Sequence, residues 1–478
     1  MQMKSYHIFY IAMAISFLTM VSGSAAADTI LVGDSGIADY TSIQAAIEAA
    51  SNGDTVLVHP GKYSENIDVD KELTIIAESE NPDDTTVQAA DLNDHVFHVT
   101  ANNVTISGFN VIGAANTTES GTEASGIYID GVSEFVLTND SRVQNCIIKN
   151  NKLSNNNFGL FLMASNNNKL ENNSASGNHF PIMLVFTNSS KLNNNVISDS
   201  EVGILMFEGN DNLIANNNVS SSGAGIGTNY YCNNNTFINN MVSNNENGIA
   251  LIYSGNNTLV NNTANSNKND GIYLDSSHSN MLRGNTANSN GEHGIYLDHF
   301  SNGNYVVNNT ASNNSHGIRL YYYSDNNILV NNTANSNEQY GIYLNETSNN
   351  RIEGNTANSN KMHGIYLKSS TFNTIINNTA NLNNYHGINL NQSNNKRVNT
   401  DIITPDFKYY KFLEDSSNNN TVSGNYLVDN GKGLVANITE NHIGINYVND
   451  RDITKLPFFS SVLTLIILGI AFMIMRRE

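Results

Sequence analysis

Two carboxylates, Asp275 and Asp298, stand 23 residues apart, each directly after an Ile-Tyr-Leu triplet. If that interval is one turn of a coiled chain, the two side chains meet at roughly 5 Å in adjacent turns, near the separation that serves a retaining glycosidase. This pair is the candidate for catalysis. The matching positions of other turns hold Tyr321, Asn345, Lys368 and Asn391, which suits solvated turn residues equally well. The middle residue of each triplet forms a second column: Tyr273, Tyr296, Arg319, Tyr343, Tyr366 and Asn389. Rings repeated along a rigid face suit contact with the sugars of a polysaccharide, although strand propensity and shielding of the strand beneath would also select tyrosine. A third column holds Asp270, His293, His316, Tyr340, His363 and His386. Its imidazole pairs, His293 with His316 and His363 with His386, suit either a metal or a plain ladder of rings.

These columns exist only if the chain is a solenoid, and the sequence makes it one. Gly271-Ile272-Tyr273-Leu274 returns at Gly294, Gly341 and Gly364, with looser copies opening at Gly126, Gly159, Pro181, Gly203, Gly225, Gly248, Gly317, Gly387 and Gly433. Most steps are 22, 23 or 24 residues, too short for a helix pair. Each unit instead shows short alternating runs bounded by Asn, Gly or Ser, which read as three strands and three turns of a parallel β-helix. Stacked coils place equivalent residues ~4.8 Å apart. About one residue in five is Asn, because side-chain amides in adjacent coils can bond as a ladder and because Asn tolerates a left-handed turn. The glycine before each Ile is read as adopting that backbone too. The gap from Gly387 to Gly433 suggests a degenerate coil near 396–417, with Lys411-Phe412-Leu413 laid over Gly271-Ile272-Tyr273.

A net charge of −20 and a pI near 4.9, with Lys and Arg scattered singly, exclude nucleic acid as a partner. Cys146 and Cys232 fall about four coils apart, ~19 Å, beyond disulfide reach, and read as buried thiols. Lys4, the apolar run from Ile8 to Val21 and Ser24-Ala25-Ala26-Ala27 read as a signal peptide over 1–27. At the other end, an apolar stretch from Val462 to Met475 before Arg476-Arg477 reads as a membrane anchor or sorting signal over 451–478, with the repeats outside the cell. Sequons such as Asn261-Asn262-Thr263, Asn331-Asn332-Thr333, Asn377-Asn378-Thr379 and Asn437-Ile438-Thr439 mark sites for glycan on an exported chain. After the signal peptide, Thr41 and Gln44 stand in capping-box spacing, Ile43, Ala46, Ile47 and Ala50 form one apolar stripe, and Asn52-Gly53 ends a short helix. That helix is expected to cover the open edge of the first coil.

The run Tyr40-Thr41-Ser42-Ile43-Gln44-Ala45-Ala46-Ile47 through Gly53-Asp54-Thr55-Val56-Leu57-Val58-His59-Pro60-Gly61-Lys62-Tyr63 resembles the opening of the pectin-lyase-like right-handed β-helix superfamily. The Asn-rich repeats resemble its NosD-like branch, and the resemblance spans nearly everything between the two ends. It implies an all-β, single-stranded right-handed parallel β-helix solenoid, to which the residues themselves add an N-terminal capping helix, 22–24 residues per coil and a C-terminal transmembrane segment. The cap and first coils occupy 28–125 and the NosD-like repeats 126–450. The same resemblance makes copper the natural ion for the His column, against which no Cys or Met accompanies the imidazoles. The superfamily's polygalacturonase, lyase and pectin methylesterase motifs are not evident here. The chain thus reads as an exported surface protein of the envelope, an adhesive or structural component that contacts carbohydrate without catalysis and without a cofactor. A polysaccharide lyase or glycoside hydrolase and a copper-handling accessory protein are the alternatives.

Overall fold

The computed structural model describes residues 27–115, 124–132 and 143–391, with short stretches between 420 and 449. The chain winds as a right-handed parallel β-solenoid of about 15 turns, its strands arranged in two long sheets of 17 and 21 members. One coil shows why the repeat folds this way. Ile272–Asp275 forms the first face and Met281–Arg283 the second, and Thr286 bridges to its neighbours on the third. Ile272, Leu274, Leu282 and Ala287 point inward and are fully buried. Register holds the columns expected from counting: Ile272 pairs with Ile295, Ile295 with Ile318, and Ile318 with Ile342.

Three asparagine ladders run along the corners. Asn240, Asn262, Asn285, Asn309 and Asn332 belong to one, and in each step a side-chain amide donates to the next Oδ1 at 2.9–3.0 Å. The same Oδ1 accepts the backbone N–H of the preceding coil's Asn, and the amide also donates to a strand carbonyl, as Asn262 does to Phe237. The corner is therefore dry yet satisfied, the condition on which buried amides are tolerated. The residue just before the ladder takes the left-handed backbone: Asn261, Asn308, Asn331 and Asn377 have φ of 53–56°, and Gly284 and Gly354 fill the same column.

The glycine before each Ile has a different role from the expected one. Gly271, Gly294, Gly341 and Gly364 are not left-handed. They are small because a Cβ at Gly294 would lie 2.7 Å from Asn314 Nδ2 and 2.8 Å from the Ala287 carbonyl oxygen. Close approach to the ladder, not φ, selects glycine.

At the N-terminal end, α1 spans Ile43–Ala49 and buries Ile43, Ala46 and Ile47 against the strands Thr29–Val32, Thr55–Val58 and Ile67–Val69. Its N-cap is Ser42, one residue later than the spacing of Thr41 and Gln44 suggests. Glu65 accepts from the Ile43 and Gln44 N–H groups at 2.9 Å, and Lys71 Nζ donates to the carbonyls of Ile47, Glu48 and Ala50. Both ends of the helix dipole thus meet an opposite charge from the solenoid. Cys146 and Cys232 are free and buried, and burial pushes the Cys146 thiol up to about 11.

Toward the C-terminus, Thr374–Ile376 pairs directly with Thr421–Ser423, and Asn373 donates to Asn420 across 47 residues. The residues assigned to a degenerate coil near 396–417 lie outside the described set. Residues 1–26 of the signal peptide expected over 1–27 and the C-terminal anchor expected over 451–478 lie outside it too. Among the described residues no helix is long and apolar enough to cross a membrane.

Candidate functional site

The first face carries the outward columns. Because the glycine has no side chain, the residue before it and the residue two after it close over the gap and pack on each other. His293 lies 4.4 Å from Tyr296 between ring centroids, and His363 lies 5.1 Å from Tyr366. Along the axis Tyr343 and Tyr366 stack at 5.2 Å and 10°, and Tyr273 and Tyr296 meet at 5.4 Å and 37°. Tyr343 and Tyr366 are each only 8 % exposed. Their faces are spent on one another, and what the column offers a ligand is chiefly ring edges and hydroxyls.

Arg319 interrupts the rings, and the structure makes it the hub. Its guanidinium lies 5.1 Å from the Tyr296 ring, 4.8 Å from Tyr321 and 5.4 Å from Tyr343. Nη1 donates to His293 Nε2 at 3.1 Å, which leaves His293 Nδ1–H to donate to Asp270 Oδ1 at 2.7 Å. Asp275 and Asp298 are neighbours in register, as the 23-residue spacing requires. Between them stands His299, whose Nδ1 is 3.0 Å from Asp298 and 3.9 Å from Asp275. The Tyr273 hydroxyl donates to Asp298 at 3.5 Å. Burial raises both the Tyr273 and Tyr296 hydroxyls above the usual phenol range, and carboxylates add to it at each. Tyr273, Tyr296, Asp275, Asp298, Arg319 and His293 are thus gathered into one cluster, while Tyr343 and Tyr366 continue it along the axis and His363 and His386 lie beyond.

His299 was not legible from the repeat, since no other coil has His there. A second cluster was missed for another reason: the outward column continues backwards through Ala250, Gly227, Leu205, Met183, Phe161, Tyr128, His98 and Asp68. In it His98 lies 3.3 Å from Asp68 and 3.4 Å from Asp130, with Tyr128 stacked on it at 9°. Hydrogen bonding to Asp130 raises the His98 pKa, whereas burial lowers His95 to about 4. Asn261, Asn331 and Asn377 of the sequons are exposed in one column; Asn437 lies outside the described residues.

A family model described as a right-handed β-helix region matches residues 182–334. A second, described as periplasmic copper-binding protein NosD, matches residues 47–246 and 293–455, most of the chain. The chain belongs to the NosD family. A cell surface glycoprotein of Methanothermus fervidus is 32% identical over 111 residues, covering 23% of this chain and 16% of that protein. Among solved structures, the A-module of the Azotobacter vinelandii mannuronan C-5 epimerase AlgE6 aligns over 85% of this chain and 94% of that one, at 14% identity and a TM-score of 0.40. The Dettilon tailspike protein aligns over 84% and 66% at 16% identity and a TM-score of 0.44. The catalytic domain of a GH87 α-1,3-glucanase aligns over 90% and 70% at 12% identity and a TM-score of 0.40.

The NosD family name raises copper, and the two imidazole pairs of the column do not fit it. His293 has both nitrogens engaged, one by an arginine whose charge opposes a cation. His316 sits between ring faces, 5.1 Å from His293 and 5.6 Å from Tyr343, and its buried Nδ1 holds no hydrogen bond. Burial holds His316 at about 3. In the other pair, both nitrogens of His363 are engaged, by the His386 N–H and the Asn389 amide. Asp270, Glu292 and His293 bring three ligand atoms within 4.8 Å, but the imidazole atom nearest the two carboxylates, Nδ1, carries the proton that Asp270 accepts. The columns are built as ring ladders.

Proposed function

We propose that this NosD-family protein is exported and displayed at the cell surface, where its solenoid acts as a rigid, non-catalytic envelope or adhesive component that contacts polysaccharide along the first face. The signal-peptide reading and the name of the Methanothermus fervidus relative support the location. The observation that carries the ligand class is the outward strip from Tyr273 to Tyr366, in which tyrosine hydroxyls recur at the coil spacing on a rigid face, with Arg319 set among them and Asp275 and Asp298 beside them. A polymer with its own repeat meets several such groups at once, so weak contacts multiply. The apolar C-terminal segment serves as the tether, and α1 closes the N-terminal end of the stack. Asn261, Asn331 and Asn377 would carry glycan on a different edge of each coil.

The test is retention of the protein on an array of envelope and extracellular polysaccharides. Replacing Tyr273, Tyr296, Tyr343 and Tyr366 together with Ser is expected to abolish retention, and binding to no polymer by the unaltered protein overturns the reading. The gathering of Asp275, Asp298, His299 and Tyr273 favours a second reading, catalysis on a polysaccharide by general acid and base. Release of reducing ends or unsaturated sugars, lost on Asp298→Asn, would select it.

A further inference from the structure

The turn that follows the first face holds a cleft that neither the repeat nor the outward strip accounts for. The turn begins with a left-handed residue in successive coils: Phe186, Glu208, Tyr230, Tyr253, Ser276, His299 and Tyr322 have φ between 35 and 50° or just above. Polar residues suit this backbone, and bulky rings there are uncommon. Tyr230 and Tyr253 nonetheless occupy it, with Tyr231 beside them, and their side chains are 50, 49 and 67% exposed. Aromatic rings held outward in an unfavourable backbone are the kind of outlier from which a function is inferred.

Tyr230 and Tyr253 stack at 5.6 Å and 4°. In the next coil the column holds Ser276, and the rings resume with His299, 5.3 Å from Tyr322. The serine leaves Tyr253, stacked on Tyr230 on one side, with no ring from the next coil on the other. A cleft of about 270 Å³ lies there, lined by Tyr231, Tyr253, Asn256, Ser276, His278 and Ser279 among others. The side-chain amide of Asn256 and the hydroxyl of Ser279 hold no hydrogen bond among the described residues, and the lining has no carboxylate, lysine or arginine. An aromatic wall, unclaimed neutral donors and acceptors, and the absence of charge together describe a site for an uncharged sugar ring.

We propose that this cleft binds one neutral pyranose residue, stacked on Tyr253 and hydrogen bonded by Asn256 and Ser279. The inference rests on the proposed glycan contact for its ligand class, but it places the contact at a turn and not on the first face. Saturation-transfer NMR with glucose, galactose, mannose and N-acetylglucosamine, singly and as disaccharides, tests it. Transfer to at least one sugar is expected. Tyr253→Asn, which suits the left-handed backbone and keeps the fold, should weaken binding about tenfold, and Tyr253→Phe should retain it. The fourfold Tyr→Ser variant of the first face should bind these small sugars like the unaltered protein. No transfer from any of the sugars, or equal transfer to Tyr253→Asn, overturns the cleft. If polymer retention persists in either case, the glycan reading stands without it; if polymer retention is lacking as well, both fall.

Discussion

Replacing Asn262 with alanine should cost the solenoid more than any surface change on it. Asn262 is 1 % exposed. Its Oδ1 accepts from the Asn240 backbone N–H at 3.0 Å and amide at 2.9 Å, and its own amide donates to the Phe237 carbonyl at 2.9 Å and to Asn285 Oδ1 at 3.0 Å. Truncation leaves Asn285 Oδ1 with the Asn262 backbone N–H. It strands two groups in the dry corner, the Asn240 N–H and one amide hydrogen of Asn240, and takes one donor from the Phe237 carbonyl, which keeps its strand partner. At about 1–3 kcal/mol for each buried unpaired group, and allowing for local relaxation, the loss is about 3–5 kcal/mol. With an unfolding entropy of about 2.1 cal/mol/K per residue over roughly 350 ordered residues, that lowers Tm by about 4–7 °C. Urea unfolding followed by circular dichroism gives the first number and a thermal scan the second. Because coils contact only their neighbours, amide hydrogen exchange should quicken from about Phe237 to Asn290 and not at the ends. A loss below about 0.5 kcal/mol, the size of an ordinary surface effect, would mean that strand pairing alone holds the coils and that the amide ladder is incidental.

Three further outcomes follow from the same geometry. Gly294→Ala places a Cβ 2.7 Å from both the Ala311 Cβ and Asn314 Nδ2, and should lower stability by about 1–3 kcal/mol in urea, as overpacking does. His316 is held neutral by burial, with its pKa lowered from 6.5 to about 3. The unfolded chain therefore binds the extra proton between those values, so its contribution to stability is present above pH 6.5 and lost as the pH falls toward 3; unfolding curves of His316→Tyr, a residue the column already uses at Tyr340, should show a flatter loss over that window. Deleting Leu456 to Glu478 should release folded protein into the medium, since the coils do not rely on that segment, and recovery of the truncated protein in the membrane fraction would contradict the tether.

Counting alone located most of what stacks. Asp275 beside Asp298, Tyr273 beside Tyr296 and the buried Ile and Leu columns all follow from a parallel register that puts equivalent residues on one line. The asparagine ladders were legible for the same reason, since an amide that must be buried every 23 residues has its own copy as a partner. What failed were inferences about a residue considered singly. Glycine before Ile looked like a turn residue, and only the distance to Asn314 Nδ2 shows that contact selects it. The tyrosine faces looked available, but ~4.8 Å spacing is a stacking distance for the rings themselves, so the column is partly its own ligand. Glu65 and Lys71, which hold the two ends of α1, come from the following coil and leave no local signal. The aromatic turn was within reach: Tyr230, Tyr253 and Tyr322 follow the first-face strand by one constant offset, and extending the columns past the Leu would have shown them.

A rigid solenoid has little means of closing on a ligand, so its selectivity has to be built into positions where the repeat is broken. A perfect column presents the same group at every coil and cannot distinguish one register of a bound polymer from the next. Arg319 breaks the tyrosine column once, drawing His293 and three rings onto one guanidinium. His299 breaks the column after Asp298 and ties two carboxylates together. Ser276 breaks the turn rings and lines the cleft beside Tyr253. All three lie within a few coils of one another, between Tyr253 and Tyr343, and they involve different edges of the same first face. A ligand that engages them would be fixed in both position and direction along the axis, which the flanking ladders could not achieve by repetition.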